Sequence, residues 1–471
     1  MIRFGTGGWR EIIGDQFTRT NVQLLTSAII KKLKKDGGAE KGFIIGYDRR
    51  FLSEIAAKWA AEVVAGEGVH CRIINRESPT PLIMYAVKIY NLSLGMAITA
   101  SHNPAAYNGI KVFMEEGRDA DEALTGEIEN LLLYINTETV KSLPYEDGLK
   151  NGLIEIINPM NTYIDDIIER VDVESIRKRA LHVVIDPMFG VGKDALQTIL
   201  LTTRCKVDVI HERRDALFGG RLPAPTEDTL APLITHVREN GCDIGLATDG
   251  DADRLGVIDN QARFLHPNKI LVLIYYYLLK FKGWRGPAVR NIATTHMLDK
   301  IAVEFNQICY EVPVGFKHIS SKMSETDAII GGESSGGLTV RGHIQGKDGI
   351  YAALILVELL AVSGKKLSEL WEEMEARYGK CEMVERSYTL TEKAKLKIIE
   401  ALEQEKNLPS FPCAVEKISH RDGCKIYFEN GGWIIVRFSG TEPVLRVFCE
   451  MATETTAESY CEIMEEFLLN L

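Results

Sequence analysis

Three aspartates stand at alternating positions in Asp249-Gly250-Asp251-Ala252-Asp253, and Arg254 follows at once. Carboxylates spaced this way on a sharp loop can converge on one hard cation such as Mg²⁺, with glycine and alanine leaving the turn open. An EF-hand is a poor source for the pattern, because its loop ends on a glutamate that is absent here and a strand-like segment precedes the loop. A solvated acidic turn has the same composition, but three aspartates beside an arginine favour the metal. Such a cation leaves places for a phosphate oxygen and water, and Arg254 can bind the same phosphate, so the chemistry suggested is phosphoryl transfer.

Four other segments carry groups suited to that chemistry. In Thr99-Ala100-Ser101-His102-Asn103-Pro104 a serine sits on a tight loop after the apolar run 94–98. There its hydroxyl can act as a nucleophile, although a plain turn would explain the loop taken alone. Gly331-Gly332-Glu333-Ser334-Ser335-Gly336-Gly337 offers Glu333 and Ser335 to the vicinal hydroxyls of a sugar, or is simply a glycine-rich turn. Arg437-Phe438-Ser439-Gly440-Thr441-Glu442-Pro443 can form a nest for a phosphate dianion from Arg437, Ser439, Gly440 and Thr441, with Arg446 as a further contact. A surface turn with a solvated arginine accounts for that segment equally well. Phe4-Gly5-Thr6-Gly7-Gly8-Trp9-Arg10 brings an arginine and several glycines to an anion, and the absence of GxGxxG speaks against a dinucleotide fold.

The elements that must position these loops alternate between strand and helix. Helical spacing covers 20–35, a buried strand 42–47, a helix 54–66 and a strand 71–75. A second round has strands at 182–186, 207–210 and 243–248 with a helix over 193–201. A third, over 260–379, has a helix from Ile270, a strand near 291–294 and a helix from after Asp348 to near Gly364. The last segment differs: a helix over 391–405, a hairpin of 424–428 and 433–438 across Asn430-Gly431-Gly432, and a closing helix from about Thr456. We therefore expect three α/β domains over 1–150, 151–257 and 258–380, and a smaller α+β domain over 381–471.

Composition agrees with a globular chain of several domains: 471 residues, 45% hydrophobic and 26% charged. The net charge of -11 argues against a general nucleic-acid or anionic-membrane surface. The apolar run 270–279 is about half the ~20 residues of a membrane span, and the N-terminus has no secretory signature, so a cytoplasmic protein is expected. Nine cysteines without CxxC spacing fit neither a disulfide framework nor a zinc site, and read as reduced core residues.

The motifs, in this order over nearly the whole chain, resemble the α-D-phosphohexomutase family of phosphoglucomutases and phosphomannomutases. The resemblance implies four domains around one cleft. It implies that Ser101 is carried as phosphoserine, and that Asp249, Asp251, Asp253 and a phosphoserine oxygen hold Mg²⁺. Arg10 and His102 would lie near that phosphate. Lys111, in Tyr107-Asn108-Gly109-Ile110-Lys111, matches the family's general acid/base position, which calls for a lowered pKa. Lys317 would line the substrate face. The implied reaction interconverts hexose 1-phosphate and hexose 6-phosphate through a bound bisphosphate that turns end for end, with glucose 1,6-bisphosphate as activator and the distal phosphate on Arg437, Ser439 and Thr441. Glucose is the expected sugar, with mannose, glucosamine and pentose phosphates as alternatives. A sugar bisphosphate synthase or phosphatase and an inactive scaffold are the competing classes. Two departures stand out: Gly337 replaces the histidine that many members carry after the sugar loop, with His343 close by, and Gly7-Gly8-Trp9 replaces a Ser-Gly-Ile type sequence.

Overall fold

The computed structural model describes residues 2–5, 7–404, 407–438 and 444–471. Ser439, Gly440 and Thr441 lie outside the described residues.

Four sheets follow one another along the chain. The first is mixed. Phe43–Tyr47, Cys71–Ile74 and Leu94–Ile98 run parallel, while Tyr107–Met114 turns back antiparallel to Leu94–Ile98 and carries Trp9–Ile12 on its other edge. Ile154–Ile157 completes this sheet by pairing parallel to Cys71–Ile74. That strand lies beyond residue 150, at which the sequence was divided, and its parallel pairing with Cys71–Ile74 is the reason it belongs there. The second sheet is built on His182–Asp186, Lys206–Val209 and Ile244–Thr248, all parallel, then Leu255–Ile258 and Phe264–Leu265 antiparallel. It too passes the division, at residue 257. The third has Ala288–Asn291, Cys309–Val312, Ile330–Gly332 and Leu338–Val340. The fourth is wholly antiparallel and includes the expected hairpin Cys424–Phe428 and Trp433–Phe438.

One expected strand moved. The segment 291–294 is a turn after Ala288–Asn291, because Asn291 Oδ1 accepts from Ala293 N at 3.0 Å and Thr294 Oγ1 at 2.7 Å. The helix expected over 391–405 is α-helical only over Glu392–Ile399 and widens to a π turn over Glu400–Gln404.

The first three sheets share one apolar core, to which the helices Thr80–Ile89, Met160–Glu169, Pro267–Lys280 and Gly349–Ser363 contribute. All residues from Ile270 to Leu279 are buried, and no described helix is long and apolar enough to cross a membrane. Gly349–Ser363 is apolar all round except for buried Glu358, whose carboxylate accepts from Lys282 Nζ at 2.8 and 3.0 Å and from Asp172 N at 2.7 Å. Pairing keeps that buried charge tolerable and pins the second domain to the third. The outcome for function is that Leu94–Ile98, Ile244–Thr248 and Ile330–Gly332 deliver their following loops to one place.

Candidate active site

Ser101 follows Leu94–Ile98 with a left-handed backbone, φ 53°, and is fully buried. A non-glycine residue held there marks a loop determined by its surroundings. Two of them are visible. Asp48 Oδ2 accepts from Thr99 Oγ1 at 2.6 Å, and Thr99 Oγ1 in turn accepts from Ser101 N at 2.9 Å. Arg50, equally buried, donates to the carbonyls of Ser101 at 2.7 Å, Asn103 at 2.6 Å, Pro104 at 2.9 Å and Tyr107 at 3.0 Å. Arg50 and Asp48 were not among the residues singled out from sequence. Their signal was present in Asp48-Arg49-Arg50 at a strand end, where it read only as a polar loop.

The aspartate loop meets this serine from the second domain. Ser101 Oγ donates to Asp249 Oδ2 at 3.0 Å. Asp249, Asp251 and Asp253 are all buried, each offering a carboxylate oxygen within 4.8 Å of the others. Asp251 Oδ1 and Asp253 Oδ1 are buried without a hydrogen-bond partner. Buried carboxylate oxygens with nothing to accept from are costly, and a divalent cation with oxygen preference satisfies them, so the residues fit Mg²⁺. The three carboxylates act strongly on one another: burial and then Asp251 and Asp253 push the Asp249 carboxyl well above its ordinary pKa. Asp253 is held well below it, because Lys111, Lys347 and Arg254 outweigh its burial.

Lys111 Nζ donates to Asp251 Oδ2 and to Asp253 Oδ2, both at 2.6 Å. Burial alone would lower its pKa, but these two carboxylates more than offset that and raise it. This corrects the lowered value expected from sequence: here Lys111 is an ammonium ion, kept so by its partners.

Arg10 and Arg254 add a pair of cations beside the serine. Arg10 Nη1 donates to Asn103 Oδ1 at 2.7 Å, and Nε of Arg10 and of Arg254 are both buried without a hydrogen bond, Arg254 Nε standing 3.9 Å from Asp253 Oδ1. Burial and then Arg254 lower the Arg10 pKa. Two guanidinium groups that repel each other and keep unused donors describe a place for an anion. His102 Nδ1 lies 3.4 Å from Ser101 Oγ, and Arg254, burial and Arg10 hold this imidazole neutral, well below its ordinary pKa.

The glycine-rich loop is tied directly to the metal loop, since Leu255 N donates to Gly336 O at 3.1 Å and Arg254 bridges Gly337. Glu333 Oε1 accepts from Gly315 N at 3.1 Å and Asn291 Nδ2 at 3.3 Å, leaving Oε2 facing Ser335 Oγ at 3.4 Å. Gly337 has a steric reason: a Cβ there would stand 2.3 Å from Cδ of Lys347, whose ammonium reaches Asp253 Oδ2 at 2.9 Å. Lys347 was also missed from sequence. His343 does not enter the site. It is fully buried between Asp166, at 3.2 Å, and Asp348, at 2.7 Å.

Of the phosphate loop, Arg437 and Phe438 are described. Arg437 Nε donates to both oxygens of Asp422, at 2.9 and 3.0 Å, and Asp422 Oδ2 accepts from Val314 N at 2.7 Å. Val314 adjoins Gly315, so Asp422, the partner of Arg437, and Glu333 hold the same stretch of backbone. Arg446 stands directly across from Arg437 on the neighbouring strand. Lys317, expected on the substrate face, is paired with Glu122 at 2.7 Å, a bond between the third and first domains.

Family models described as phosphoglucomutase/phosphomannomutase match the chain in order: α/β/α domain I over 1–138, domain II over 161–262, domain III over 266–378 and the C-terminal domain over 364–467. The chain belongs to this phosphohexomutase family. As a phosphohexomutase it is an isomerase with the expected fold of three α/β/α domains and a C-terminal domain. A phosphoglucomutase/phosphomannomutase of Thermococcus kodakarensis is 33% identical over 461 residues, covering 98% of this chain and 97% of the relative. A phosphoglucosamine/phosphogalactosamine mutase of Sulfurisphaera tokodaii is 29% identical, covering 97% and 96%. The crystal structure of a phosphomannomutase candidate from Thermus thermophilus superposes with a TM-score of 0.86 at 28% identity, covering 99% of both chains.

Proposed function

We propose that this phosphohexomutase interconverts hexose 1-phosphate and hexose 6-phosphate, with glucose as the sugar, by passing a phosphoryl group through Ser101. The observation that carries the reading is the buried hydroxyl of Ser101 at 3.0 Å from Asp249, beside two carboxylate oxygens and two guanidinium Nε groups that make no hydrogen bond.

In the first transfer the Ser101 Oγ–P bond breaks as a P–O bond forms to the free sugar hydroxyl. The sugar hydroxyl gives its proton to Lys111 once that amine is neutral, and Lys111 returns one proton to the Ser101 oxygen as it leaves phosphorus, so that the proton lost by the sugar is the one that leaves Ser101 as a hydroxyl. Mg²⁺ held by Asp249, Asp251 and Asp253 would neutralise charge on the transferring phosphoryl group. Arg10 and Arg254 hold its oxygens, while Glu333 and Ser335 read the sugar hydroxyls. The second transfer reverses these steps after the bisphosphate has turned, its other phosphate resting on Arg437, Ser439, Gly440, Thr441 and Arg446 in the meantime. Lys111 accepts a proton only when its own pKa falls, and a divalent cation on Asp251 and Asp253 would offset the charges that now raise it.

The relatives named for aminosugars support a second reading, glucosamine phosphate as substrate by the same chemistry. The test is to supply glucose 1-phosphate or glucosamine 1-phosphate with Mg²⁺ and a trace of the matching 1,6-bisphosphate, and to follow the 6-phosphate. The larger kcat/KM names the sugar. Conversion by Ser101→Ala at the wild-type rate, or of no hexose phosphate by wild type, would defeat the proposal. Phosphate release keeping pace with sugar turnover would instead indicate a phosphatase.

A further inference from the structure

At the end of the second sheet opposite the aspartate loop, side chains from two strands, a helix and a turn meet. His182 opens the strand His182–Asp186, Asp208 lies on Lys206–Val209, His236 on the helix Ala231–Asn240, and Cys242 between that helix and Ile244–Thr248. His182 Nε2 is 2.7 Å from Asp208 Oδ2 and 3.7 Å from Cys242 Sγ. His236 Nε2 reaches the same Asp208 oxygen at 3.1 Å. His182, Asp208 and Cys242 each offer one ligand atom within 4.8 Å of the others. From Cys242 to Asp249 an extended chain runs roughly 20 Å, so this cluster takes no part in phosphoryl transfer.

As a hydrogen-bonded cluster it satisfies Asp208 with two imidazoles and leaves the Cys242 thiol with only a weak contact. A ring nitrogen carries one hydrogen at most, and the short contact to Asp208 uses it, so the thiol beside it has nothing to donate to there. As a metal site it is well matched. A tetrahedral zinc centre with ordinary bond lengths separates nitrogen from sulfur by about 3.5 Å and nitrogen from oxygen by about 3.4 Å. The observed 3.7 and 2.7 Å therefore need only small side-chain adjustments. One imidazole, one thiolate and one carboxylate form a mixed donor set of the borderline kind that zinc prefers and Mg²⁺ does not.

We propose that His182, Asp208 and Cys242 bind one Zn²⁺, with His236 orienting the Asp208 carboxylate by hydrogen bond and solvent taking the fourth position. Cys242 is buried, while His182 and Asp208 remain partly open, with side chains 14% and 30% exposed, which gives the ion a way in. Binding sends the thiol proton to solvent, and His182 ligates through unprotonated Nε2 with its hydrogen on Nδ1. The ion would staple the start of His182–Asp186 and the neighbouring strand Lys206–Val209 to the turn between the helix Ala231–Asn240 and Ile244–Thr248. It would act on stability rather than on turnover. The sequence pattern could not show this site, because successive ligands lie 26 and 34 positions apart rather than in a CxxC pair.

Co²⁺ titration of the chelator-treated full-length protein tests the proposal. One equivalent should produce a thiolate-to-cobalt charge-transfer absorption with tetrahedral ligand-field bands, and Zn²⁺ should displace both. An all-oxygen site at the aspartates gives no thiolate band, so the two centres are told apart. The band should disappear in Cys242→Ser and also in His182→Gln, which leaves the buried thiol in place should the serine variant not fold. Absence of the band in wild type, or its persistence in a folded His182→Gln, would overturn the site.

Discussion

Lys347 occupies the space that a side chain at residue 337 would need: a Cβ on Gly337 would meet Lys347 Cδ at 2.3 Å, while the Lys347 ammonium sits 2.9 Å from Asp253. Glycine at 337 and lysine at 347 therefore act as a unit. Gly337→Ala should push the lysine stem aside and lower kcat/KM about tenfold, or ~1.4 kcal/mol of transition-state stabilisation. Lys347→Met should cost a similar amount. The double variant should be no worse than either single one, because both remove the same ammonium. Fully additive losses would show that the two residues act separately.

Arg50 is expected to govern rate by shaping the Ser101 loop without touching substrate. Its guanidinium spans four carbonyls, which an ammonium cannot do. Arg50→Lys should lower kcat by about ten- to a hundredfold with KM little changed, since a small displacement of the reacting oxygen is costly. Intact-mass analysis should still find Ser101 able to take up phosphate from the bisphosphate. Arg50→Met leaves Asp48 buried with its ion-pair partner removed and should destabilise by about 3–5 kcal/mol in chemical denaturation. A variant with KM raised and kcat intact would place Arg50 in substrate binding instead.

Asp251 offers the most direct check of the cation. Its Oδ2 is taken by Lys111 and Thr80, whereas Oδ1 has no partner. Asp251→Asn keeps the shape and removes the charge. Turnover should fall on the order of 10²-fold or more, as when a charge-stabilising group is lost, with the Mg²⁺ titration shifted to higher concentration. Thermal unfolding should change little, since the variant also relieves repulsion among three buried carboxylates. Unchanged Mg²⁺-dependent activity would remove the metal assignment.

Much of this was legible where chemistry is carried by short contiguous loops. The aspartate loop and the Ser101 loop announce themselves because each follows an apolar strand, and strand ends are where such loops must face a cleft. The helix 270–279 was legible for the same local reason, an unbroken apolar run. What escaped was set by long-range contact. Arg50 works only once residues 101–107 fold over it, Lys347 matters only because residue 337 has no side chain, and the raised pKa of Lys111 comes from carboxylates 140 and 142 positions away. The turn at 291–294 escaped because Asn291 bends the backbone with its own side chain, where apolar content alone suggests a strand.

The interface between the third and fourth domains should make stability depend on pH through Lys425. Its ammonium is buried, donating to Ile292 O at 2.6 Å and Glu311 Oε2 at 2.9 Å, with His296 Nε2 at 3.0 Å. Burial and the nearby Arg290 push its pKa down to about 7, Glu311 only partly opposing them. An unfolded lysine keeps its proton to about pH 10.4, so between about pH 7 and that value the unfolded chain binds more protons than the folded one. Stability should therefore rise with pH across this window, by at most about 1.4 kcal/mol per unit from this group. His296, pushed down to about 4 by burial and Arg290, adds a slope of the same sign between pH 4 and 6.5. Denaturant unfolding of wild type and Lys425→Met at pH 7, 8 and 9 isolates the lysine, because the other titrations cancel in the difference. The gap between the two proteins should shift in favour of wild type as pH rises, and a gap that stays constant or moves the other way would show that Lys425 keeps its proton in the folded state.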